Sequence, residues 1–314
     1  MSDLTHLVEA TAESVTDMML PAVDTREVAS ETDIEKINEK SFELYKEAGS
    51  VVNLASLLYD ESSVSNGGWC RDQAICAALM IRICKFMVTV TQLSSVRNRA
   101  DVVSALNRSI LETAINLEFL LTAEDSKMFD KFVTSGLGPE RELYDVIQSN
   151  IGNRGGAVLP IERRMLNSID DVCRVSGLKV EEIDRKHGDW AGGVRARLKA
   201  IGREEHYAAM MRIPSHAVHG NWVDLYKNHL HHDEKTGRFS PNTYFGYVDE
   251  RHLGPIAIVV LGAVVPYIKR FFSQIHEAGL IIARADDLLR RLTLVGEAHE
   301  NLLNAADGKS GRQS

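Results

Sequence analysis

With 314 residues, 44% of them hydrophobic and 25% charged, the chain is long enough to bury a sizeable core without disulfide or metal staples. It holds one large domain or two smaller ones. A formal net charge of −8 argues against binding nucleic acid by the whole surface, and seven prolines with few β-branched runs argue against an all-β fold.

The charge is uneven. The first 35 residues carry nine acids against Arg26 alone, whereas Arg154 to Arg212 has twelve Lys/Arg against nine Asp/Glu. Cys70, Cys76, Cys84 and Cys173 form no C-x-x-C pair, so zinc-ribbon and thioredoxin chemistry have no support. The first three sit in or beside an apolar helical stretch and are expected to be small buried residues in a reducing cytoplasm. The opening MSDLTHLVEA lacks a basic region followed by an apolar run, so no secretory signal is expected.

In chain order, residues 1–32 are expected to be an acidic, loosely attached arm, with a short helix from Leu4 to Met19 that Pro21 breaks. Asp33 caps a helix running to about Tyr59, and ESSVSNGG is a turn. Trp69 to about Val96 is apolar nearly all round, which marks a central helix. Arg99 to Thr122 is another. Shorter helices follow between Ala123 and Leu159, then at about 161–175 and 180–200. A long helix is expected after Glu204, then a loop over 231–254, then helices at about 255–277 and 279–304. The apolar run Leu253 to Ile268 is sixteen residues long with two prolines and two glycines. A spanning helix needs roughly 20, so this run is expected in the core. The resulting fold class is all-α, a single irregular multi-helix bundle over 33–304, ending in a C-terminal helix pair at 255–304 and a disordered tail at 305–314.

HYAAMMRIPSHAVHGNWVDL, from His206 to Leu225, collects more groups able to bind an anion and move a proton than any other stretch. Six residues separate Arg212 from His219, and Ser215 and His216 lie between them. On a continuous helix Tyr207, Met210, Met211, Val218, Trp222 and Leu225 share a core-facing side, with the polar groups on its flank. Arginine grips phosphate in a planar fork, and histidine exchanges protons near neutral pH. His219 would act as acid or base at a ribose 2′-hydroxyl, Arg212 would hold the scissile phosphate, and no metal would be needed. The competing reading has these residues capping and stitching buried helices. In that reading Gly220 stops a helix and Pro214 marks a break between Arg212 and His219.

Arg108 and Glu112 lie one turn apart on LNRSILETAINLEFLL. They either satisfy each other or reach a neighbouring helix, and they are a candidate supporting pair for the same site. His229, His231, His232, Asp233 and Glu234 fit no standard metal spacing and are expected to be a solvated helix end. Asp184 and His187, three apart, are weaker still. No P-loop, dinucleotide fingerprint or nucleophile elbow is present.

Two of these strings carry a resemblance. The Arg108–Glu112 helix, and the segment from Trp190 through Tyr207, Arg212 and Ser215 to His219-Gly220, resemble an uncharacterised all-helical family catalogued as domain of unknown function 5677, over about residues 68–232. Arg212 to His219 is also similar to the arginine-to-histidine spacing of the HEPN superfamily of helical nucleases and binding domains. Here Ile213 follows the arginine where such nucleases place a polar residue, and Pro214 lies within the interval. The second resemblance implies a HEPN-like core with added N- and C-terminal helices, and a homodimer. The function expected is a metal-independent endoribonuclease or RNA-binding protein of bacterial defence or toxin type. His219 and Arg212 would carry the chemistry, supported by Ser215, His216, Arg108 and Glu112. The alternative is a non-catalytic helical interaction or scaffold protein. The expected partners are RNA, a second copy of the chain and, for the alternative, another protein. No cofactor, metal or membrane is called for.

Overall fold

The computed structural model describes residues 19–58, 68–96, 99–123, 125, 127–185 and 190–310, with side chains of the last helix described as far as residue 306. The protein is mostly helical, helices packing into a bundle beside a small two-stranded hairpin. It divides into two compact units, one comprising residues to Thr122 and from Arg203 onward, the other Ala123–Gly202.

The first unit begins with α1 (Ile34–Leu57), where the Asp33 carboxylate accepts from the Glu35 N–H at 3.0 Å as an N-cap. Ile37, Leu44, Tyr45, Ala48, Val51, Val52 and Ala55 recur at three- and four-residue steps or their sums, and none is more than 1% exposed. Burying each large apolar side chain stabilises by roughly 1.5–3 kcal/mol, so this stripe rather than helix propensity holds α1 in place. It packs on α2 (Arg71–Ser94) and on the final pair, α9 (Glu250–Phe271) and α10 (His276–Ser310). The most extensive packing joins α9 to α3 (Ala100–Thr122). Both α2 and α9 are long and apolar enough to cross a membrane by length and composition. Here both are packed into the helical core.

The second unit comprises α4 (Lys127–Gly136), α5 (Gly138–Asn153), α6 (Pro160–Val175) and α7 (Gly193–Ala200). Its own core joins Leu137, Ile147, Ile169, Cys173, Val180 and Ile183. The Arg141 guanidinium donates to the Val180 carbonyl at 2.7 Å, closing the segment after α6 onto α5.

Several expected boundaries move. The helix expected over 180–200 survives as a turn at Val180–Glu182 and as α7, because Ala191 and Gly192 adopt φ of 51° and 75°. The loop expected over 231–254 contains β1 (Leu230–Asp233) paired antiparallel with β2 (Arg238–Pro241). It ends early because Asp249 caps α9, accepting from the Arg251 N–H at 3.1 Å. Gly254 sits inside that helix rather than before it, and a Cβ there would lie 1.8 Å from the Glu250 carboxylate. The last helix continues to Ser310, beyond 304.

The described part of the expected loose arm is tied down. Val23 N–H donates to Glu47 at 3.1 Å, and the Arg284 and Arg291 guanidinium groups donate to the Leu20 and Val23 carbonyls. Cys76, Cys84 and Cys173 are buried, whereas Cys70 is exposed at the start of α2. The helix expected from Leu4 lies almost entirely outside the described residues, as do most of the turn near 61–68 and His187.

Candidate functional site

On α3 the residues Asn107, Ile110, Leu111 and Ala114 are buried, leaving Arg108 and Glu112 on the flank of the helix. That flank meets α8 (Ile213–His219). Arg108 Nη1 donates to Glu112 Oε2 at 2.7 Å, and its Nε donates to Ser215 Oγ at 3.1 Å. Ser215 Oγ in turn donates to the Met211 carbonyl at 2.5 Å. A chain of hydrogen bonds thus runs from an α3 carboxylate to the backbone just before α8. Arg108, expected as part of a supporting pair for this site, reaches Ser215 directly.

The expected long helix after Glu204 is a series of short pieces. A π-helical turn spans Ala208–Arg212, and α8 follows with Pro214 in its first turn. Proline has no N–H to donate one turn back, and the change from π-helical to α-helical register falls directly before it. Gly220 then stops α8 with φ 56° and ψ 40°, a left-handed conformation that suits glycine. Asn221 restarts the chain, its side-chain oxygen accepting from the N–H groups of Val223 and Asp224 at 3.1 and 3.3 Å. Its side-chain amide donates to His216 Nδ1 at 2.5 Å.

These breaks overturn the expected core-facing stripe. Met211 is buried at 2%, but Val218, Trp222 and Leu225 are 49%, 59% and 40% exposed. The polar residues divide into two groups. Ser215 and His216 are partly buried and hydrogen-bonded locally. Arg212 and His219 are exposed at the two ends of α8. The Arg212 guanidinium lies 5.9 Å from the Tyr207 ring centre. Neither Arg212 nor His219 forms an ion pair among the described residues. The arrangement can present a cation and an imidazole to an anionic ligand from a segment fixed in the middle.

Two features escaped the sequence reading. Glu118, buried on α3, pairs with Arg203 at 3.1 Å. Burial pushes its carboxyl above the usual range, and the Arg203 charge opposes that shift. The other feature is a group of exposed rings. Trp222 stacks with Tyr226 at 6.1 Å and meets Phe239 edge-on at 5.6 Å, while His232 stacks on Phe239 at 4.8 Å. Their signal was the aromatic density of WVDLY and RFSPNTYFGY, which helical periodicity assigned to core or loop.

The histidine cluster is a solvated helix end only at His229, and its other members lie on the exposed hairpin. His229 closes a π-helical turn, its Nε2 3.5 Å from Asp224, and His231 and His232 are successive residues of β1. Strand neighbours point to opposite faces. Among the described residues no three His, Cys, Asp or Glu side chains are grouped to hold a metal ion.

No curated protein and no solved structure matches the chain. A family of unknown function (DUF5677) matches it over residues 73–237, just over half of the 314. That stretch contains both ends of the Arg108–Ser215 connection as well as Arg212 and His219, and the chain belongs to DUF5677.

Proposed function

We propose that the protein is a metal-independent endoribonuclease whose site lies along α8, in the manner of HEPN-type nucleases. One observation carries this reading. Arg212 and His219, the two groups able to grip phosphate and move a proton, stand exposed at the ends of a segment that Arg108 and Ser215 anchor to α3. Arg212 neutralises the scissile phosphate. His219 removes the ribose 2′-hydroxyl proton as that oxygen attacks phosphorus. The bond from phosphorus to the 5′-oxygen breaks, and solvent protonates the leaving oxygen, giving a cyclic phosphate and a 5′-hydroxyl. Ser215 and His216 shape the segment, and Arg108 with Glu112 positions it. The protein would act as a cytoplasmic homodimer of bacterial defence or toxin type.

A second reading, a non-catalytic interaction protein, is favoured by one observation. Both Ser215 hydrogen bonds are internal, which suits a polar network that merely joins helices. The test is incubation of purified protein with mixed RNA in excess chelator, comparing wild type with His219→Ala. Cleavage by wild type alone supports the nuclease. Absence of cleavage by both favours the interaction protein.

A further inference from the structure

The exposed rings following α8 form one continuous surface. Trp222, Tyr226 and Phe239 are 59%, 44% and 47% exposed, and His232 is exposed between the last two. The contiguous apolar patches of monomeric proteins are often functional. The surface is joined directly to the candidate site, because Asn221, which starts the Trp222 turn, holds His216 of α8.

Charge identifies the occupant. Residues 206–247 carry four Lys/Arg, three Asp/Glu and six of the eleven histidines, so this segment does not share the chain's net negative charge. Two of its three acids are engaged. Asp224 is buried and accepts from Asn228, and Asp233 is held in the hairpin turn by Thr236 and the Lys235 N–H. Lys227 and Arg238 flank the rings in sequence. Aromatic faces alternating with cations and imidazoles suit unpaired bases on a phosphate backbone. A duplex keeps its bases stacked on one another and cannot offer them to such rings.

We infer that Trp222, Tyr226, His232 and Phe239 form a stacking platform for the unpaired bases of single-stranded RNA. The inference rests on the RNA reading of the adjoining site and names the substrate class. The platform would lay the strand along the hairpin and deliver its backbone toward Arg212 and His219.

The test separates binding from cleavage. A dye-labelled 2′-O-methyl single strand keeps its bases and phosphates but lacks the free 2′-hydroxyl that the proposed chemistry needs. Its affinity is measured by fluorescence anisotropy, beside the same sequence as a duplex. Wild type should bind the single strand more tightly than the duplex. Trp222→Ala and Phe239→Ala should each weaken single-strand binding about tenfold, and Trp222→Phe should restore most of it. Circular dichroism checks that each variant is folded, and size exclusion gives its oligomeric state. Absence of single-strand binding, or binding indifferent to the ring variants, overturns the platform. Ring variants that break a dimer without changing RNA affinity also overturn it and make the surface a protein interface. Ring-dependent binding with no cleavage of ordinary RNA leaves the platform standing and removes the nuclease.

Discussion

The Arg108 guanidinium reaches the Ser215 hydroxyl at 3.1 Å across 107 residues of sequence, and this contact ties α3 to α8. Arg108 is partly buried, with 18% of its side chain exposed, and the same guanidinium is neutralised by Glu112. Hydrogen bonds to charged groups contribute about 1.5–3 kcal/mol, and coupled neighbours fail to add by 0.5–3 kcal/mol. Arg108→Ala should therefore lower stability by about 1–2 kcal/mol, and Ser215→Ala by about 1 kcal/mol. The double variant should cost about 1 kcal/mol less than their sum. Urea unfolding of the four proteins measures this cycle. Strict additivity would mean that the contact carries no energy.

His219 should behave differently. It is exposed at the end of α8 with no side-chain hydrogen bond among the described residues. Substitutions at such surface sites usually change stability by no more than about 0.5 kcal/mol. His219→Ala should melt with wild type, so any loss of RNA cleavage could not be attributed to misfolding. A melting temperature several degrees lower would instead assign His219 to a structural network.

The bundle was legible where periodicity and caps agree. The Asp33 cap and the stripe from Ile37 to Ala55 place α1 within two residues of expectation. Legibility failed where tertiary contacts override local signals. Gly254-Pro255 resembles a loop, yet α9 runs through it because the Asp249 cap starts the helix ahead of it and Leu253, Ile256 and Ala257 are buried in the core. Trp222 resembles a core residue because the periodic pattern continues across Gly220, but the left-handed glycine resets the face. The candidate site was half legible. Arg212, Ser215, His216 and His219 are adjacent in sequence, whereas the Arg108–Ser215 hydrogen bond is long-range and has no local signature.

Glu47 should be among the most sensitive positions in the first unit. Its carboxylate is 1% exposed and receives both terminal nitrogens of Arg291, at 2.7 and 2.5 Å, as well as the Val23 N–H. Removing one partner of a buried pair costs about 3–5 kcal/mol when the other charge is stranded, and because Arg291 keeps Asp287 at 2.8 Å the cost here should sit at the lower end, about 3 kcal/mol. Glu47→Ala should lower stability by that amount and release the 20–33 segment. Limited proteolysis should then cut that segment faster than in wild type, an effect that surface substitutions such as Glu35→Ala should not share. Equal protection in both variants would show that the segment is held by other contacts.

Glu250 should make the first unit less stable as pH rises. Its carboxyl is pushed up from 4.5 to about 7, chiefly by burial and further by the nearby charges of Asp249 and Glu300. It sits within 3.6 Å of where a Gly296 side chain would begin, so little water can reach it. The folded protein therefore holds this proton more tightly than the unfolded chain does. That contribution is complete below the unfolded value of 4.5 and is lost as pH climbs through about 7. At about 1.4 kcal/mol per unit, the shift amounts to about 3 kcal/mol. Asp249 next to it works in the opposite sense at lower pH. Burial would raise its carboxyl, but hydrogen bonds from His252 and Arg251 hold it far below the ordinary range. Glu250→Gln keeps the shape while removing the ionisation. It should match wild type near pH 5 and exceed it above pH 7, flattening the decline between. Urea midpoints for both proteins at pH 5 and pH 8 test this, and an unchanged slope in the glutamine variant would place the pH dependence elsewhere.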